Sequence, residues 1–250
     1  MIGLVIAFGG VVAEATVFQA TPVTAQHQAL LRRSDFAAHA PTSFRARMRL
    51  RVHERADAGE IDIEVWRSGD TRTLVRFLDP RERGKYLIYE STRAWFLSPG
   101  AKKPVKLPHA FRLHGSASLD DLLGLHYSRD FTIVGVAKGE GSADGQVAFD
   151  LRDRRPKAPY PRIRYVVEAI SGRPILAEFR LPSERLASTI EFVAWTADGR
   201  LHPRVMLLKD LLRRGIITRI EILEMEERPV PAGLFDPQDA TERARLEGGS

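Results

Sequence analysis

Residues Phe44–Val52 read FRARMRLRV, a strict alternation of apolar and basic side chains. A helix would wind such a pattern around its whole circumference, whereas a strand turns successive side chains to opposite faces. One face then carries Phe44, Ala46, Met48, Leu50 and Val52, and the other Arg45, Arg47, Arg49 and Arg51. Similar segments follow at Glu60–Trp66, Thr71–Phe77, Lys85–Glu90, Ala94–Leu97, Gln146–Leu151, Arg162–Ala169, Pro174–Leu181, Ser188–Trp195, Arg204–Leu208 and Ile216–Leu223. Gly59, Ser68-Gly69-Asp70, Asp144-Gly145, Ser171-Gly172-Arg173 and Asp198-Gly199 supply turn chemistry between them. The spacing predicts one continuous antiparallel meander of about ten to eleven strands.

Such a sheet must cover its apolar face with helices, with a second sheet or with itself. Only two helices are expected, His27–Ala38 and Ser118–Tyr127, the second with Ser118 as N-cap and Asp120 and Asp121 in its first turn. That cover is too small for the sheet. The expected fold is therefore mainly β (α+β), an incomplete antiparallel β-barrel whose short helices cover an apolar cavity. At 44% hydrophobic and 28% charged, the 250 residues suit one globular domain.

The arginine face is not free positive charge. A hairpin through Ala56–Gly59 that keeps apolar opposite apolar sets Arg49 and Arg51 opposite or diagonal to Glu60, Asp62 and Glu64. Phosphate contact depends on unpaired cations, so a net charge of +6 does not point to nucleic acid. With no cysteine, disulfides, thiolate nucleophiles and Cys-based zinc sites are all excluded. The segment His114–Ser118, HGSAS, lacks the second glycine of a nucleophile elbow, and the histidines lack metal-ligand spacing. Neither an enzyme nor a cofactor or metal site is expected.

Residues Ile2–Ala13 are uncharged and apolar, too short for a membrane span and suited to a signal-peptide core, with a small-residue cleavage site before Gln26. A basic n-region is missing, since the first cation after the start is Arg32. The expected organisation is a signal peptide over 1–25, one domain over 26–237 and a disordered polar tail over 238–250.

Four segments, DPRERGKYLIYE (Asp79–Glu90), WFLSPGAKKPVKL (Trp95–Leu107), HGSASLDDLLG (His114–Gly124) and YPRIRYVVEAISGRPILAEF (Tyr160–Phe179), succeed one another along the chain. With the closing stretch Arg204–Pro237 they resemble the LolA-like family of outer-membrane lipoprotein-sorting proteins, over roughly Phe44–Pro237. The resemblance implies a half-barrel with helices across its mouth and a hydrophobic cavity that carries acyl chains of lipoproteins or lipids through the periplasm. An inner-membrane transporter or exporter would be the partner, and the carrier a monomer.

By facing parity the expected lining is Phe44, Met48, Leu50, Ile63, Val65, Phe77, Trp95, Leu97, Tyr165, Val167, Phe179 and Phe192, under a lid bearing Leu119, Leu122 and Leu123. Trp66 and Trp195 fall on the opposite parity, at a rim or outer surface. The basic loop Gly100–Lys106 is either a solvated hairpin or a contact for anionic headgroups or an acidic partner. Two other functions fit the same pattern: an envelope interaction or structural module with a filled core, and an accessory binding protein of a lipid exporter.

Overall fold

The computed structural model describes residues 22–53, 59–91, 93–107, 112–114, 117–118, 126–138, 145–155, 158, 160–196, 202–213 and 216–248. Among the described residues there are fifteen strands: β1 (Ser43–His53), β2 (Glu60–Ser68), β3 (Arg72–Phe77), β4 (Tyr86–Glu90), β5 (Arg93–Leu97), β6 (Val105–Leu107), β7 (Arg112–His114), β8 (Ala117–Ser118), β9 (Phe131–Lys138), β10 (Gln146–Asp153), β11 (Arg162–Glu168), β12 (Pro174–Arg180), β13 (Leu186–Trp195), β14 (Pro203–Asp210) and β15 (Ile216–Glu227). Thirteen of them form one sheet in the order β6-β5-β4-β3-β2-β1-β15-β14-β13-β12-β11-β10-β9, and β7 and β8 pair separately. Two meanders thus join through the antiparallel pairing of β1 with β15. The sheet is mainly β, antiparallel and not closed into a barrel.

Within this sheet the two strands beyond the eleven expected are β6 and β9, which are the two edges. An edge strand makes half the ladder contacts and need not alternate cleanly. β6 has only three residues, and β9 is interrupted by Gly135. The chain from β6 to β9, residues 108–130, has to travel from one edge of the sheet to the other.

Alternation in β1 is reproduced as alternating burial along Ser43–His53. Its inner face joins a single core with Leu87 of β4 and Val136 of β9, near opposite ends of the sheet, which requires the sheet to curl. On the outer face the expected charge pairing is present: Arg51 faces Glu60, Arg49 faces Asp62 and Arg47 faces Glu64. Arg49 Nε lies 2.8 Å from Asp62 Oδ1 and Arg45 Nε 2.6 Å from Glu64 Oε1.

The first expected helix is two. α1 (Ala25–Ser34) carries a capping box, in which Thr24 Oγ1 accepts from the His27 amide at 3.3 Å and His27 Nδ1 accepts from the Thr24 amide at 3.1 Å. Asp35, with φ −79° and ψ 85°, breaks the helix before α2 (Phe36–His39). Of the second expected helix, Ser118 ends β8 and Tyr127 opens α3 (Tyr127–Asp130). The lid residues Leu119, Leu122 and Leu123 lie outside the described residues.

Ala232–Phe235, within the expected domain, form a 3₁₀ turn, and Thr241–Gly248, within the segment 238–250 expected as a tail, form a helix, α4. Leu234 and Phe235 pack with Trp66, Leu74, Tyr86 and Ile88 in a second core on the outer face. Arg76 Nη1 donates to the Leu246 carbonyl, and Tyr86 Oη donates to Glu247 Oε1 at 2.5 Å, fastening α4 down. The segment reads as polar because it holds on through backbone carbonyls and charged groups as much as through apolar contact. Among the described residues no helix is long and apolar enough to cross a membrane.

Candidate functional site

Nine of the twelve expected lining residues share the inner face: Phe44, Met48, Leu50, Ile63, Val65, Tyr165, Val167, Phe179 and Phe192 all belong to the inner core. Phe77, half-buried, packs against it. Trp95 and Leu97 do not, because they pack into the outer core beneath the chain end. The inward residue of that strand is Phe96, which pairs with Leu87 in the ladder. Trp66 does occupy the outer side, though buried rather than at a rim. Trp195 corrects the parity reading: the ladder shifts register between Phe192 and Trp195, and a bulge returns Trp195 to the inner face, where it stacks on Phe192 with ring centroids 6.1 Å apart.

Above this floor lies a cover made by α1, α2 and α3, which contribute Leu31, Phe36 and Tyr127 to the inner core. Tyr127 stacks on Tyr165 at 4.1 Å, and Phe36 meets Phe192 edge-on at 5.7 Å. Two polar ties hold the corner between α1 and α2. Tyr165 Oη donates to the Ser34 carbonyl at 2.8 Å. Asp35, fully buried, accepts from the Ser128 amide at 2.8 Å and from its hydroxyl at 2.6 Å. Burial, with the neighbouring Tyr127 and Asp35, pushes the Tyr165 phenol well above its ordinary range, so it stays a neutral donor.

A pocket of about 520 Å³ runs beside α1, lined by Gln26, His27, Ala29, Leu30, Arg33, Val147 and Ala169. Its volume falls within the range of small-molecule sites, about 300 to 1,000 Å³. Arg33 Nη2 donates to the Ala169 carbonyl at 2.9 Å and closes one end. None of the twelve expected lining residues borders it. The wall is α1, whose amphipathic pattern was legible as a helix, but nothing in sequence spacing says that its flank faces the end of β10 and the turn after β11. Chemically the pocket offers apolar side chains from Leu30 and Val147, one imidazole and one guanidinium.

A family model whose description reads "-like: Uncharacterized protein" matches residues 69–239, more than half of the chain. Among solved structures, the chain is similar to a LolA superfamily protein from Nitrosomonas europaea, with a TM-score of 0.72 and 22% identity over 86% of this chain and 98% of the other. The chain belongs to the family which that model describes, and its fold is LolA-like. A DUF1329 family protein from Desulfovibrio piger gives a TM-score of 0.68 at 14% identity, covering 84% of this chain and 95% of that one. A protein domain from Vibrio parahaemolyticus, named for outer membrane lipoprotein sorting, gives 0.64 at 14% identity, again over 84% and 95%. No curated protein matches the chain. The LolA-like fold accounts for the open antiparallel sheet and the few short helices.

Proposed function

We propose that this LolA-like protein is a carrier of the bacterial envelope that shields an acyl chain of a lipoprotein or lipid in its concave side, in the periplasm, as a monomer. The observation that carries this reading is the pocket of about 520 Å³ between α1 and the β10–β11 end of the sheet, adjoining the apolar core. Its task is binding and release, not bond making. The inner-face residues Phe44, Met48, Leu50, Ile63, Val65, Phe77, Tyr165, Val167, Phe179 and Phe192 form the floor that a guest would enlarge into. Leu119, Leu122 and Leu123 are the proposed lid.

Burying an acyl chain is worth about 0.8 kcal/mol per methylene, so a long chain supplies on the order of 10 kcal/mol as an upper limit. Cargo held so strongly does not cross water unaided, yet it must be given up. The cover described above suits that need, since its helices are short and joined to the sheet by a handful of ties. An inner-membrane transporter or exporter would load the chain, and release would follow when the cover opens.

A second reading, an envelope interaction module with a filled core, is favoured by Leu50, Ile63, Val65 and Phe149, all 0% exposed. One experiment separates the two. Protein purified natively without detergent should carry about one lipid per chain in an organic extract read by mass spectrometry, and Leu30→Glu should reduce that at least ~10-fold by placing a carboxylate on the pocket wall. Lipid-free wild-type protein, or a folded Leu30→Glu variant that retains its lipid, would support the filled module instead.

A further inference from the structure

A second pocket lies on the outer face of the sheet, independent of the carrier reading. It measures about 380 Å³ and separates α4 from the loop Ser98–Pro104. The loop wall brings Lys102 and Lys103, both exposed, and the opposite wall brings Arg243. Leu97, Pro99 and Ala244 give the pocket apolar shoulders.

Arg243 is the unusual member. It is only 4% exposed, yet it forms no ion pair among the described residues. Its guanidinium donates to the Asp236 and Pro237 carbonyls and lies over the Tyr86 ring, 6.0 Å from the centroid. Asp236 and Asp239 are near enough to favour its charge, but burial outweighs them and lowers its pKa. The carbonyls engage its N–H groups but bring no negative charge, and a buried cation without a carboxylate partner is costly. The acid on the pocket wall does not, because Glu247 accepts from Tyr86 and pairs with Arg83 Nε at 3.4 Å.

The loop is held in place for this role. Gly84 has φ +76°, and a Cβ there would come 2.8 Å from Pro99 Cγ, so only glycine lets the backbone approach the loop so closely. Three cations therefore face one cavity across a gap, two from a braced loop and one from a fastened helix.

We propose that this pocket binds a phosphate-bearing ligand, with Arg243, Lys102 and Lys103 contacting the phosphate oxygens and the prolines and Leu97 receiving the adjoining apolar part. Guanidinium and paired ammonium groups form strong charge-assisted hydrogen bonds to phosphate. A phospholipid headgroup and a free phosphate ester share this chemistry.

The test uses the full chain and titration calorimetry with dihexanoyl phosphatidylglycerol below its micelle concentration, glycerol 3-phosphate and inorganic phosphate. Saturable binding of one equivalent is expected, and Lys102→Ala with Lys103→Ala, a surface change that leaves the fold intact, should weaken it at least ~10-fold. Arg204→Ala with Lys209→Ala, which removes the same charge from exposed positions on β14, should not. Preference for the lipid over both soluble probes assigns a headgroup, and equal affinity assigns a soluble phosphate; both support the site. Absence of saturable binding, or equal loss in the two double variants, overturns it, since the second result means diffuse attraction to a basic protein.

Discussion

Individual side chains decide which face of the sheet does what. The four arginines of β1 are matched by acids on β2 and β15, and the Arg49 guanidinium hydrogen-bonded to Asp62 holds that carboxyl below its ordinary value. They give register and solubility rather than a ligand surface. A sharper residue is His126, 9% exposed and placed where the crossover re-enters the fold at α3. Burial, then Arg129 and Arg67, lower its pKa against the opposing pull of Asp35 and Asp70, whose Oδ1 lies 3.6 Å from Nε2. The unfolded chain therefore takes up this proton first as pH falls below about 6.5. The stability this histidine contributes is present above that pH and is lost as pH drops through its folded value. Urea denaturation at pH 7, 6 and 5 should show stability falling, with a shallower fall in His126→Gln; equal slopes in both proteins would exclude His126 as the source. Asp62 contributes a separate loss only at more acidic pH, below about 4.

At the scale of elements, the sequence was legible wherever one face of a strand is covered and the other wet. β1 is the clearest instance, and its parity placed Phe44, Met48 and Leu50 on the inner face where the structure has them. The reading failed where that condition fails. β5 is covered on both sides, by the inner core and by the chain end, so Trp95-Phe96-Leu97 is apolar throughout and parity has nothing to choose by. β13 carries a bulge, which moves Trp195 to the side its numbering denies. The chain end hid for a related reason: its buried apolar side chains are Leu234 and Phe235, and the rest docks through polar groups. Those two residues make a prediction. Phe235 is 4% exposed, and Phe235→Ala should cost about 3 kcal/mol by leaving a cavity over Trp66. A lower urea midpoint with an unchanged m-value and undiminished lipid retention is the expected result. Loss of lipid alongside stability would mean that the outer cover and the inner cavity are coupled.

For the molecule as a whole, the same open sheet that provides a concave face also divides the protein into a firm part and a loose one. β1 is paired along its length with β2 on one side and β15 on the other, and its inner side chains are almost wholly buried. Such amides exchange with solvent only when the whole fold opens. α1, α2 and α3 contribute one turn to three turns each; Asp35 ties the α1–α2 corner to Ser128 of α3, and Arg33, Tyr165 and a few aromatic contacts join the cover to the sheet. Opening them leaves the sheet ladder intact, so their free energy of opening must be smaller. Hydrogen exchange followed by mass spectrometry on delipidated protein should therefore show peptides of residues 25–39 and 126–130 exchanging at least ~10-fold faster than those of β1 and β15. Addition of a long-chain fatty acid should slow the first group and leave the second unchanged, because a guest that binds only the covered form stabilises the cover by mass action. Uniform exchange across the chain, or a cover indifferent to the fatty acid, would mean that the helices are part of one rigid core with no room to admit a guest.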